Sequence, residues 1–223
     1  MTTLARIHLN PASPVVVRDL GDPVALHRRT MSAFAQIERS PAREALSVLW
    51  RLDTDAARRP FLLVQSGSPG SWDDLPSGWA TSVEAKEIGP LLDGLRAGQR
   101  CRFLLRANAT RKVNTKTGDD GRRRNGQRVP LRSPERALEW LARKGQAAGF
   151  ELAKGTTGPS VEVRPEPPAT GGRGGSVVTV EAVRFEGQLI VTDAVRLAQA
   201  VRAGVGPAKA YGCGLLSLAP LSR

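Results

Sequence analysis

The chain has little with which to hold a metal or cross-link itself. It contains two cysteines, Cys101 and Cys213, and two histidines, His8 and His27. Four residues so scattered do not make a structural zinc site, and no cluster of carboxylates or histidines suggests another metal or a cofactor. Both cysteines lie in apolar, strand-like contexts, which predicts buried free thiols and a reducing compartment, the cytoplasm. Aromatics are only 4% of the 223 residues, so a core must come mostly from Leu, Val and Ala. No run of about 20 apolar residues occurs, which leaves no helical bilayer span. The start, MTTLARIHLNPASPVVV, has no charged region followed by a long apolar run, so no signal peptide is expected.

Positive charge is abundant instead. Lys and Arg number 33 against 21 acidic residues, a net charge of +12 at pH 7. Such a surface attracts polyanions over a long range. Nucleic acid fits better than an anionic membrane, because no basic amphipathic helix with a broad apolar face is present. No membrane partner is therefore expected.

The length allows two units of about 100 residues each. Residues 4–9 alternate as a strand, and 10–19 read as a proline-containing loop. Asp22-Pro23 supplies an N-cap followed by proline at the first helical position. The helix is predicted to run to about Arg39, burying Leu26, Thr30, Phe34 and Ile37. Strands are expected over 45–52, 61–66 and 79–88. The second unit opens with QRCRFLLRANAT, where Cys101, Phe103, Leu105 and Ala107 alternate against Arg102, Leu104 and Arg106. Ser133-Pro134 starts a helix to about Ala148, followed by short strands at 150–152 and 161–163. PEPPATGGRGGS (165–176) reads as a flexible loop. SVVTVEAVRFEGQLIVTD reads as two strands turned at Glu186-Gly187. Thr192 or Asp193 caps a helix over 194–203, which ends at Gly204, and a final strand covers 213–219. Both halves follow the ferredoxin-like order. The expected class is α+β: two tandem ferredoxin-like (RRM-like) domains, 1–90 and 98–223, each an antiparallel sheet with helices on one face.

Three features could carry chemistry. The stretch 111–128, RKVNTKTGDDGRRRNGQR, holds Arg111, Lys112, Lys116, Arg122, Arg123, Arg124 and Arg128. It is either a basic hairpin lying along phosphates or a solvated loop. The segment GVGPAKAYGCGLL (204–216) sets Lys209 among Gly204, Gly206, Gly212 and Gly214. Glycines let backbone N–H groups approach a phosphate, but the same pattern also ends a helix. It lacks the GK[ST] ending of a P-loop. His27, one turn into the first helix, is either a proton shuttle or a structural histidine. RNA carries its own nucleophile, the 2′-hydroxyl, so one histidine with nearby cations would suffice to cut it.

DPVALHRRTMSAF, RFLLRANATRK, VRFEGQLIVTD and GVGPAKAYGCGLLSLAPL occur in this order. Together they resemble the CasE family, the CRISPR repeat endoribonuclease of the type I-E Cascade complex, over essentially the whole chain. The resemblance implies tandem ferredoxin-like domains. It implies metal-independent cleavage of the precursor transcript 3′ of a repeat hairpin, leaving a 2′,3′-cyclic phosphate and a 5′-hydroxyl. It also implies retention of the RNA within Cascade. His27 matches the family's catalytic histidine, with the D-x-x-x-x-H spacing from Asp22 intact. The glycine-rich loop matches 204–214, and the RNA-inserting basic hairpin matches 111–128; Arg106 joins them as an RNA contact. One departure stands out: family members commonly carry a tyrosine three residues before the histidine, where this chain has Val24. The only tyrosine is Tyr211. The tyrosine's role is thus either lost, leaving an RNA-hairpin-binding scaffold, or supplied by another group. Arg28 and Lys209 are the candidates for stabilising charge on the phosphate.

Replacing Arg122, Arg123 and Arg124 together with Ala is expected to weaken RNA binding. The slope of log affinity against log salt should fall by roughly 0.7–0.9 for each lost phosphate contact. Binding measured across a salt series tests this, and an unchanged slope would identify 111–128 as a solvated loop.

Overall fold

The computed structural model describes residues 1–34, 42–113, 126–156, 158–173 and 176–221. The first part of the chain forms β1 (Thr3–Leu9), α1 (Pro14–Leu20), α2 (Pro23–Met31), α3 (Ala42–Ala45), β2 (Leu49–Thr54), β3 (Pro60–Ser66), β4 (Ala80–Glu87) and α4 (Gly89–Asp93). Next come β5 (Arg100–Ala107), β6 (Thr110–Val113), β7 (Gln127–Pro130), α5 (Pro134–Ala148), β8 (Phe150–Leu152) and β9 (Val161–Pro165). The chain finishes with β10 (Ala169–Arg173), β11 (Ser176–Val180), β12 (Val183–Val191), α6 (Ala194–Ala203) and β13 (Leu216–Pro220).

Two larger antiparallel sheets result, ordered β2-β3-β1-β4 and β13-β5-β12-β8, with β9 also paired to β12. Numbered within each sheet, both orders read 4-1-3-2, the ferredoxin-like arrangement repeated in tandem. The alternation in β1 and β5 explains why one face of each sheet is apolar. Ala5, Ile7 and Leu9 point into one core, and Cys101, Phe103, Leu105 and Ala107 into the other. The first core is closed by α1 and α2 through Val16 and Leu26. The second is closed by α5 and α6 through Trp140, Leu141, Leu197 and Val201. Both cysteines are buried free thiols, and burial pushes Cys213 up to about 11. Among the described residues, no helix is long and apolar enough to cross a membrane.

Several expectations need correction. Residues 10–19 are not all loop, because Ser13-Pro14 opens α1 and Val16 is fully buried. Helix α2 ends at Met31 rather than near Arg39. Phe34 still reaches the core beyond it, edge-on to Trp72; Ile37 lies outside the described residues. The strand expected at 45–52 begins only at Leu49. Before it, Val48 N–H closes back on the Arg43 carbonyl at 2.8 Å. The supposed loop 165–176 contains β10, which pairs with β11 as a two-stranded ribbon. Glu186-Gly187 is no turn, since β12 runs straight through it; a Cβ at 187 would collide with the Ser160 carbonyl at the start of β9. The final strand begins at Leu216.

A partly buried polar chain joins the two sheets. Arg51 on β2 is 3% exposed and pairs with Asp53 at 2.8 Å. Its Nη1 donates to the carbonyls of Leu215 at 3.1 Å and Leu104 at 3.3 Å. The second Asp53 oxygen takes Arg184 of β12 at 2.6 Å, and Arg184 reaches Glu166 at 3.4 Å. Gln65 on β3 adds a separate tie, donating to the Val201 carbonyl of α6 at 2.8 Å.

Arg51→Ala strands Asp53 and two carbonyls without this donor. It is expected to cost about 3–5 kcal/mol, the range for breaking a buried pair. Urea unfolding measures the loss; a change below about 1 kcal/mol would show that the pair is not a structural tie.

Candidate active site

Asp22 fixes the start of α2. Its Oδ1 accepts from the N–H groups of Val24 at 2.8 Å and Ala25 at 3.2 Å. Leu26 and Thr30 turn inward, and the Thr30 hydroxyl donates to the Leu26 carbonyl at 2.9 Å. This rotation leaves His27 half-buried on a flank of the helix and Arg28 exposed. Ribbon β10–β11 lies across the cap: any Cβ at Gly171 would collide with Asp22 Oδ1. Val24, where the resemblance leads one to expect tyrosine, is half-buried beside the cap.

The flank bearing His27 meets the glycine-rich segment. After α6, the chain passes through Gly204 and Gly206 at positive φ, pressed against Leu49 and Trp140. A short 3-10 turn, Lys209–Tyr211, then packs on α2. Trp50 Nε1–H donates to the Ala210 carbonyl at 3.2 Å. Gly212 has φ +75°, and a Cβ there would come within 2.7 Å of the Trp50 ring. The Tyr211 ring stands edge-on to His27, with centroids 6.4 Å apart.

The electrostatics favour an uncharged imidazole. Burial lowers the His27 pKa first, and the positive charge of Arg43 lowers it further. Lys209 is pushed down by burial, then by Arg43. The charge of Arg43 thus acts on both groups. Its side chain is 16% exposed and bridges to Glu44 at 3.0 Å. No spacing in the sequence links Arg43 to His27, so sequence reasoning missed it. The structure packs the turn carrying Lys209 against α2, which carries His27. Arg28 lies instead on the exposed side, by a depression also lined by Arg18, Asp19, Asp22 and Arg29.

Arg106, expected as an RNA contact, has partners within the protein. It is 14% exposed and bridges Glu166 at 2.6 Å. Its Nη1 donates to the carbonyls of Tyr211 at 3.2 Å and Gly212 at 3.1 Å. The expected basic hairpin is present at its base, where β6 pairs with β7. Arg111, Lys112 and Arg128 are exposed there, with Arg128 reaching the Thr110 hydroxyl at 3.4 Å. Lys116, Arg122, Arg123 and Arg124 lie outside the described residues. Among the described residues, no three His, Cys, Asp or Glu side chains gather as a metal site.

The family described as CRISPR associated protein matches residues 3–220. This chain belongs to that family. Its relatives include the CRISPR-associated endoribonuclease Cse3 of Thermus thermophilus, 37% identical over 97% of this chain and 99% of the relative. The CRISPR system Cascade subunit CasE of Escherichia coli is 39% identical over 64% of this chain and 67% of its own length. Among solved structures, Thermus thermophilus Cse3 bound to an RNA representing a pre-cleavage complex superposes with a TM-score of 0.81. It is 35% identical, covering 98% of this chain and 99% of that one. The family relationship agrees with the tandem ferredoxin-like fold seen here.

The contact between Gly171 and the cap predicts the effect of adding a side chain there. Gly171→Val should drive the ribbon off Asp22 and cost about 1–3 kcal/mol, the usual range for overpacking. Thermal unfolding would register the loss; unchanged stability would mean that the ribbon yields without strain.

Proposed function

We propose that the protein is a metal-independent endoribonuclease. It cuts CRISPR precursor RNA 3′ of the repeat hairpin and retains the product as a subunit of Cascade in the cytoplasm. One observation carries this reading: a histidine with a lowered pKa faces a lysine-bearing, glycine-rich turn, in a chain 37% identical to an endoribonuclease across nearly its whole length. The name CasE, a Cascade subunit, supports the assembly. The division into domains 1–90 and 98–223 belongs to the same proposal.

In this reading, neutral His27 takes the proton of the 2′-hydroxyl upstream of the cut. The 2′-oxygen bonds to phosphorus, the bond from phosphorus to the 5′-oxygen breaks, and that oxygen takes up a proton. The products are a 2′,3′-cyclic phosphate and a 5′-hydroxyl. Lys209 stabilises the charge that gathers on the non-bridging oxygens. Arg28 does so from the open side of α2. Gly204 and Gly206 shape the loop's approach to the RNA backbone. Arg111, Lys112, Lys116, Arg122, Arg123, Arg124 and Arg128 hold the hairpin phosphates. Arg106 belongs to the same RNA-binding set and also holds the glycine-rich loop through the Tyr211 and Gly212 carbonyls.

His27→Ala should lower single-turnover cleavage of a repeat hairpin from the protein's own genome by about 10²–10⁴-fold, with RNA affinity retained. The parent should cut equally well in excess EDTA and leave cyclic phosphate ends. Near-normal cleavage by the variant would mean that another group moves the proton. Loss of cleavage on chelation would overturn the metal-free chemistry.

A further inference from the structure

Nδ1 of His27 is buried with no hydrogen-bond partner. A histidine that moves protons commonly has one ring nitrogen bonded to a carbonyl or carboxylate, which sets its orientation and tautomer. That device is missing at Nδ1, so packing must orient the ring.

The packing comes from Tyr211. Its ring lies at 70° to the imidazole plane, in an edge contact. The backbone around Tyr211 is held at several points. Its N–H donates to the Ala208 carbonyl at 2.9 Å, and its own carbonyl accepts from Arg106. Trp50 holds the carbonyl of Ala210, and Gly212 packs on the Trp50 ring. The phenol ring also packs in a small cluster with Val180, Ala182 and Cys213. A ring held this way is a fixed wall for the imidazole.

We propose that Tyr211 is a positioning residue for His27: its ring, anchored by the glycine-rich loop, sets the rotation of the imidazole and keeps water from it. The aromatic face does this work, and the hydroxyl is not needed. The charged groups around the pair are Arg43 from the segment before β2 and Lys209 from the same turn as Tyr211. Neither is altered by changing the ring. The kinetic part of the proposal rests on His27 as the proton-transfer group. The titration of His27 in the free protein does not.

The test compares Tyr211→Phe and Tyr211→Ala with the parent, all as full chains. The His27 ring protons are titrated by NMR, where His8 is the only other histidine. Single-turnover cleavage of a repeat hairpin and its equilibrium affinity are measured beside this. Tyr211→Phe should match the parent throughout. Tyr211→Ala should move the His27 midpoint up by roughly half a pH unit, because water now reaches the ring. Its cleavage near neutral pH should fall about 10–100-fold, as expected for a misplaced reacting group, with affinity unchanged. If the Ala variant folds poorly, Tyr211→Leu restores volume without the flat ring and should show the same loss of cleavage with a smaller upward shift of the His27 midpoint. Slow cleavage by Tyr211→Phe would overturn the proposal by placing the role in the hydroxyl. An unmoved His27 midpoint in both Ala and Leu variants would overturn it as well. If His27→Ala cleaves normally, the assignment of His27 fails, while the midpoint shift still decides whether Tyr211 positions it.

Discussion

An alternating chain of guanidinium and carboxylate groups runs from Arg51 through Asp53, Arg184 and Glu166 to Arg106. It crosses from the first sheet to the second and ends on the carbonyls of Tyr211 and Gly212. Each carboxylate in it is shared by two arginines, so no link is independent of the next. Low exposure at Arg51 makes the interaction strong and the loss of either partner costly. The position of the glycine-rich loop therefore depends on how the two sheets sit against each other. Trp50, next to Arg51 on β2, ties the same loop to the first sheet through the Ala210 carbonyl.

The candidate site follows from that constraint. His27 belongs to α2, which packs on the first sheet, whereas Lys209 and Tyr211 follow the last helix of the second half. The cap of α2 is covered by Gly171, again from the second half. The charge of Arg43 acts on both His27 and Lys209. No segment of the chain holds the arrangement alone. The basic ribbon β6–β7 is a separate two-stranded sheet, paired with neither of the larger ones.

What the sequence made legible was periodic or local. Alternation gave β1 and β5 because one face of each is dry. Asp22-Pro23 and Ser133-Pro134 marked helix starts because a cap and a fixed φ act within one turn. The same Ser-Pro signature at Ser13-Pro14 was read as loop, since α1 is too short to show a stripe. Gly187 looked like a turn residue, but its lack of a Cβ serves close approach by β9 instead. Glycines and prolines around 165–176 hid the β10–β11 ribbon. Of the candidate site, His27 and the glycine-rich segment around Lys209 stand out in the sequence itself, and resemblance to a family then matches both. Arg43 and the contact between His27 and Tyr211 do not stand out, because only tertiary packing brings those positions together. Alternation likewise places Arg106 on the face opposite Leu105, but does not show that Glu166 and the loop carbonyls meet it there.

The placement of Gly171 and Tyr211 also has a consequence in time. A ribosome delivers the α2 helix early and these two residues late. Domains generally fold as units in the order of their synthesis. A nascent chain can thus complete its first sheet while its histidine still lacks both the ribbon over its helix cap and the ring at its side. The last strand, β13, must then leave the ribosome and pair with β5 before the loop that precedes it is held at both ends. Until those late segments have emerged and docked, the surroundings of His27 remain incomplete.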